Sequence, residues 1–222
     1  MSTPTLTDFL RRLADNNNRP WFMAHKAEFD ELRHRWIADI DLLLGHIAAW
    51  DPTLARYPAK DCVYRIYRDT RFSPDKTPYK TYFSAGISCR GRKTHVAGYY
   101  LQADIRPGHS GIFGGLWCPD AAMLRKMRHA IVDNIEEFEE ILSAPELQRL
   151  YPGWCGNALK TIPKGWPKDH PQAPLLRLLD YGKEHVVDTG FFTDPLWPER
   201  ASELMRPLKP FVDFINYSLF EE

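Results

Sequence analysis

Tyr79-Lys80-Thr81-Tyr82-Phe83-Ser84-Ala85-Gly86-Ile87-Ser88-Cys89 is the stretch on which the fold turns. Read as extended chain, it places Tyr79, Thr81, Phe83, Ala85, Ile87 and Cys89 on one face. Lys80, Tyr82, Ser84, Gly86, Ser88 and Arg90 fall on the other. Arg90-Gly91-Arg92-Lys93 then turns the chain, and His95, Ala97, Tyr99, Leu101, Ala103 and Ile105 return with the same period of two. Two such runs joined by a short turn predict a hairpin, and with it an antiparallel sheet.

The flanks complete the class. Upstream, Val63 to Arg68 reads as a strand with polar residues on both faces, followed by the loop Ser73-Pro74-Asp75-Lys76-Thr77-Pro78. Downstream, Ile112 to Trp117 adds a strand and Pro119 starts a helix. Leu124, Met127, Ile131, Ile135 and Phe138 continue that helix, with a break near Asn134. Prolines and glycines make Tyr151 to Pro174 irregular. Leu175 to Leu179 predicts a short helix, His185 to Phe192 a last strand, and Pro198 onward helix interrupted around Pro207 and Pro210.

At the other end, Leu6, Phe9, Leu10 and Leu13 form an amphipathic helix capped by Thr5 or Thr7. Asn18 caps a second, long helix with Pro20 in its first turn, whose stripe runs through Phe22, Phe29, Leu32, Trp36, Ile40, Leu43 and Ile47 to Asp51-Pro52. Strands in the middle with helices at both ends predict an α+β fold: a central, mainly antiparallel sheet, a long N-terminal helix and further helices packed around it. One domain over residues 1–222 is expected.

Composition narrows the setting. Lys plus Arg and Asp plus Glu each number 29, so no net field drives the chain onto nucleic acid or membrane. Hydrophobic residues make up 44%, enough for a core at this length and too many for long disorder. Cys62, Cys89, Cys118 and Cys155 are too scattered for a disulfide framework or zinc ribbon and read as reduced, partly buried thiols. With no signal-like start and no run near the roughly 18 apolar residues of a membrane span, the expectation is a cytoplasmic protein.

Charge is concentrated locally. Tyr64-Arg65-Ile66-Tyr67-Arg68-Asp69-Thr70-Arg71-Phe72 runs into Ser73 to Thr81 and sets Arg65, Arg68, Arg71, Lys76 and Lys80 against only Asp69 and Asp75. Guanidinium forks take phosphate or carboxylate bidentately, and a turn offers backbone N–H groups to the same anion. A site for a small anionic ligand is one reading, with Tyr79 and Lys26 beside it and Asp69 or Asp75 as proton-transfer candidates. The other is an Arg–Asp lattice that pins the loop. Lys26 falls inside or beside the apolar stripe of its helix, so its charge must meet a carboxylate or an anion, or snorkel to water.

Other motifs carry less. Glu31-x-x-His34 is half of a di-iron pattern but lies on the solvent face, and no metal site is expected. Gly111-x-x-Gly114-Gly115 before a helix reads as a tight turn or bulge rather than a phosphate loop. Lys160, Lys164, Lys168 and His170 form a second basic stretch, either a solvated loop or a flap.

Arg65-x-x-Arg68-Asp69-x-Arg71-Phe72-Ser73-x-Asp75-Lys76-x-Pro78-Tyr79-Lys80 resembles the hallmark of a bacterial family known as domain of unknown function 2461. Asn17-Asn18-Arg19-x-Trp21-Phe22-x-x-x-Lys26, Gly98-Tyr99-Tyr100, Gly114-Gly115-x-Trp117 and Pro163-Lys164-Gly165 with His170-Pro171 resemble its other motifs. Pro20 stands where a glutamate is usual. The resemblance implies one family-like domain over residues 5–220 and no established activity. The expected function is binding of a phosphorylated or carboxylated small molecule, with catalysis open and no cofactor implied. The alternatives are a nucleic-acid or nucleotide-binding module, less favoured by the neutral charge, and a purely structural role for the motif.

Overall fold

A computed structural model of the protein describes residues 5–91, 96–188 and 190–220. The expected turn residues Arg92 and Lys93, and His95 of the return strand, lie outside them. The Thr5 hydroxyl accepts from Asp8 N and caps α1 (Leu6–Asp15), which buries Phe9, Leu10 and Leu13. Asn18 accepts from Trp21 N at 3.0 Å and caps α2 (Arg19–Ala24). The single long helix expected here is broken at His25, whose backbone sits at φ −109°, ψ 16°. The His25 ring stacks on Trp21 at 3.9 Å, and its Nδ1 lies 2.8 Å from the Trp21 carbonyl, competing for an acceptor of the helix ladder. Phe22 of the predicted stripe falls in α2, and after the break α3 (Lys26–Ala48) carries the rest from Phe29 to Ile47, every member buried.

The remaining elements are α4 (Ala59–Cys62), β1 (Tyr82–Ile87), β2 (Gly98–Asp104), β3 (Gly111–Leu116), α5 (Ala121–Asp133), α6 (Ile135–Ser143), α7 (Pro145–Leu150), α8 (Ala173–Leu176), β4 (Tyr181–Val186), α9 (Trp197–Met205) and α10 (Lys209–Phe220). The strands form one antiparallel sheet in the order β1-β2-β3-β4, so the protein is α+β as its pattern predicts. No helix among the described residues is long and apolar enough to cross a membrane.

Several boundaries differ from the sequence reading. Val63 to Arg68 is not a continuous strand: it pairs only at the isolated bridges Val63–Ala85 and Tyr67–Tyr79. The last strand starts at Tyr181, four residues before His185, and Gly182 bridges to Cys155. It ends at Val186, and Asp188 accepts from Gly190 N at 2.7 Å to fold Phe191–Thr193 into a 3-10 turn. Asp120, not Pro119, sets the start of α5 by accepting from Met123 N at 2.8 Å. The short helix at 175–179 begins two residues early, at Ala173. All four cysteines are free, and Cys118 is exposed rather than partly buried.

The chain resolves into two compact units. The first is made from Met1–Arg92, Tyr100–Ile112 and Val186–Glu203. In it, Phe83 on β1 meets Phe29 at 5.8 Å and Trp36 at 5.9 Å on α3, and Trp36 stacks on Trp197 of α9 at 5.2 Å. Each fully buried ring of this kind removes enough apolar surface to contribute about 1.5–3 kcal/mol. The second unit comprises Lys93–Tyr99, Phe113–His185 and Leu204–Glu222. There Phe138 of α6 packs on Phe211 and Phe214 of α10 at 6.2 and 4.9 Å. The glycine run expected as a tight turn or bulge lies within β3: Gly115 has φ +127°, and a Cβ there would strike the Tyr181 carbonyl. Lys183 of β4 is only 2% exposed, its Nζ 4.1 Å from the Trp154 ring and 3.3 Å from the Tyr151 carbonyl. Burial depresses its pKa to about 8.

One contact positions the candidate site. The Asn17 side chain, at the corner between α1 and α2, donates to Tyr79 O at 2.9 Å and accepts from Tyr79 N at 3.1 Å. The Tyr79 ring stacks on Phe22 at 4.1 Å beneath it. Asn17→Ala would strand both backbone groups, so we expect a loss of about 1–3 kcal/mol of stability in denaturant unfolding. An unchanged unfolding midpoint would show that the clamp is not needed.

Candidate functional site

The site begins with an irregularity. Tyr64 N donates to Ser84 O at 3.0 Å, and Lys80 N donates to Ile66 O at 2.8 Å. Between these pairs Arg65 alone faces Thr81, Tyr82 and Phe83. This is a bulge that ends regular pairing and re-aims the side chains on either side of it. It explains why β1 begins only at Tyr82 and why Val63 to Arg68 is bridged rather than continuous.

The face of β1 opposite α3 carries the polar groups. Lys80 is half-buried, with Nζ 5.5 Å from the centres of both the Tyr64 and Tyr82 rings. No carboxylate among the described residues pairs with it. Its pKa is lowered by burial first and by the charge of Arg65 second. Arg65 is exposed and also makes no ion pair among the described residues. Gly86 gives the Tyr64 ring its place: a Cβ there would stand 2.9 Å from the Tyr64 hydroxyl oxygen.

Next to these cations runs a hydrogen-bonded polar row on β2 and the turn after it. Tyr100 Oη donates to Gln102 Oε1 at 2.7 Å, and Gln102 Nε2 donates to Asp104 Oδ2 at 3.2 Å. Arg106 forks onto the Asp104 carboxylate, with Nε 3.1 Å from Oδ1 and Nη2 2.7 Å from Oδ2. Asp104 is 4% exposed, so this charge is buried but fully partnered. Burial raises the Tyr82 and Tyr100 phenols, which therefore act as neutral hydrogen-bonding groups near pH 7. Against this satisfied row, neither Arg65 nor Lys80 pairs with a carboxylate among the described residues.

The loop beyond the bulge is a lattice. Arg68 pairs with Asp75 and with the Thr77 hydroxyl, and donates to Thr77 O at 3.2 Å. Asp69 holds Arg71 through Nε at 3.0 Å and Nη2 at 2.7 Å, and Lys76 Nζ donates to Thr70 O at 2.9 Å. Hydrogen bonds from Arg71, side chain first, pull the Asp69 carboxyl down to about 2. The Thr77 backbone N–H, then Arg68, do the same for Asp75. The lattice holds Phe72 out with 93% of its surface exposed.

Of the residues singled out from sequence, the fold gathers Arg65 and Lys80 with Tyr64 and Tyr82. It commits Arg68, Arg71 and Lys76 to the loop. Tyr79 is a buried anchor, 3% exposed. Lys26 pairs with Asp30 one turn along its own helix, rather than with Asp69 or Asp75, and lies 5.6 Å from the Phe29 ring centre. Sequence reasoning missed Tyr100, Gln102, Asp104 and Arg106 as neighbours of the site. The alternation of β2 held the signal, since Tyr99, Leu101 and Ala103 define the buried face and leave these on the other. Lys160, Lys164 and Lys168 are exposed in the second unit, where Trp166 lies 4.9 Å from the His129 ring and 5.1 Å from that of His170.

An α+β frame with a polar, cation-bearing face on one side of a bulged hairpin is the class these features define. The model of the family described as conserved hypothetical protein (DUF2461) matches residues 5–214, and the chain belongs to that family. No curated protein and no solved structure matches it.

The lattice has a definite pH signature. The folded carboxyls at about 2 lie below the unfolded value near 3.8, so their contribution is present above pH 4 and is lost as pH falls through 2. Amide resonances of residues 69–77 should hold their shifts from pH 7 to 4 and move together only below that. In Arg68→Gln the Asp75 titration should move up toward the ordinary carboxylate range. Titration of both carboxyls near 4 in the native chain would contradict the lattice.

Proposed function

We propose that the chain binds a small anionic ligand, phosphorylated or carboxylated, with Arg65 and Lys80 as the residues that take its charge. The observation that carries this reading is Lys80: a half-buried ammonium with no carboxylate partner among the described residues, beside a second cation, between two tyrosine rings. Two neighbouring cations repel one another, more strongly where one is withdrawn from water. An oxyanion bridging them turns that cost into two charge-assisted hydrogen bonds. Tyr64, Tyr82 and the Tyr100 row supply neutral donors and acceptors beside the charge. Arg68, Arg71 and Lys76 serve the same ligand indirectly, by fixing the loop. Asp69 and Asp75, held ionised by their partners, are poor proton donors at neutral pH and act as loop anchors in this reading. Four free thiols suit a cytoplasmic setting.

A thermal-shift series with inorganic phosphate, ribose 5-phosphate and citrate tests the proposal. A ligand that binds only the native state at 100 times its Kd stabilises by about 2.7 kcal/mol. At least one of the three should raise Tm in a concentration-dependent way. Lys80→Met should abolish that rise without lowering the Tm of the free protein, because it removes a poorly solvated charge next to Arg65. No shift with any of the three, or an unchanged shift in Lys80→Met, contradicts the reading.

The bare Phe72 ring, with the Arg71 guanidinium 5.7 Å from its centre, favours the nucleotide or nucleic-acid alternative as a second reading. Its mark would be salt-dependent oligonucleotide binding that Phe72→Ala removes.

A further inference from the structure

We propose a second binding site in the first unit, for a small primary ammonium compound with an apolar tail, at Asp39 on α3. A cavity of about 200 Å³ lies among the start of α1, the middle of α3 and the Phe191–Thr193 turn. That is roughly seven waters' worth of liquid volume, room for a compound of a few carbons and one polar head. Leu6, Leu32, Trp36 and Phe192 form its apolar lining, while Asp39, Arg35 and Thr193 give it a polar side.

Asp39 is what selects the ligand. Its carboxyl is half-buried, and its hydrogen bond in the chain is from the Trp197 indole N–H, at a long 3.4 Å. No ion pair among the described residues involves it. Burial raises its pKa, as expected for a carboxylate whose charge is under-compensated. The nearest candidate cation on the same helix, Arg35, is paired with Glu31 instead. The Thr193 hydroxyl spends its proton on Gly190 O at 2.6 Å and keeps its lone pairs for a donor. An ammonium group brings three donors and a positive charge to these acceptors, and the aromatic lining of Trp36 and Phe192 suits an alkyl tail. The site is independent of Arg65 and Lys80 and takes the opposite charge.

Isothermal titration of the full chain with n-butylammonium, n-butanol and n-butyrate reads the proposal directly. The expected result is saturable binding of n-butylammonium, at least tenfold tighter than n-butanol, with no binding of butyrate. Asp39→Asn should weaken n-butylammonium at least tenfold, and Thr193→Trp, at the exposed mouth, should block it with Asp39 intact. Both variants are checked for an unchanged far-ultraviolet spectrum. If either misfolds, perturbation of the Trp197 indole N–H resonance by n-butylammonium in the native chain decides. Equal affinity for butanol would mean an apolar crevice only. Binding that appears only in Arg35→Met would mean that Arg35 itself closes on Asp39. Either result, or no saturable binding, overturns the proposal.

Discussion

The two hydrogen bonds between the Asn17 side chain and the backbone of Tyr79 are the constraint on which the candidate site depends. They fix Tyr79, just ahead of β1, to the corner between α1 and α2, and the Phe22–Tyr79 stack seals the joint. With Tyr79 held there and Ser84 paired to Tyr64, the residues 80–83 between them are too many for the two opposing residues, Arg65 and Ile66. The excess is taken up as a bulge. Lys80 stands at its edge and Tyr82 within it, and the proposed ligand site is a consequence of where the surplus chain goes.

Much of this was legible in the sequence, for physical reasons that can be named. The α3 stripe from Phe29 to Ile47 and the β2 alternation of Tyr99, Leu101 and Ala103 are periodic patterns whose members are all buried, so tertiary packing had little to override. Thr5 and Asn18 were readable as caps because a short polar side chain before an apolar stripe has one good use. The lattice reading of Arg68, Asp69, Arg71 and Asp75 was also open to sequence, since these charges are close in the chain and pair locally.

What stayed hidden depends on pairing between distant segments. The bulge leaves Tyr79 to Cys89 looking like one unbroken alternation, because its surplus of two residues preserves parity. Tyr181-Gly182-Lys183 fell outside the expected last strand, since glycine and lysine disguise a strand whose glycine is packed against Cys155 and whose lysine is buried against Trp154. Lys26 could be placed on the apolar stripe, but nothing in the periodicity says that its charge would go to Asp30. The split between loop cations and free cations could not be read at all without distances.

That split is the core of the account: among five clustered cations, three are spent on the loop, while Arg65 and Lys80 make no ion pair among the described residues. The direct measurement is the pKa of the Lys80 ammonium by heteronuclear NMR, in the absence and presence of inorganic phosphate. A value below the ordinary lysine range in the free protein, moving upward as phosphate is added and lost from the spectrum in Lys80→Met, is what the account predicts. An ordinary lysine pKa that phosphate leaves untouched would contradict it.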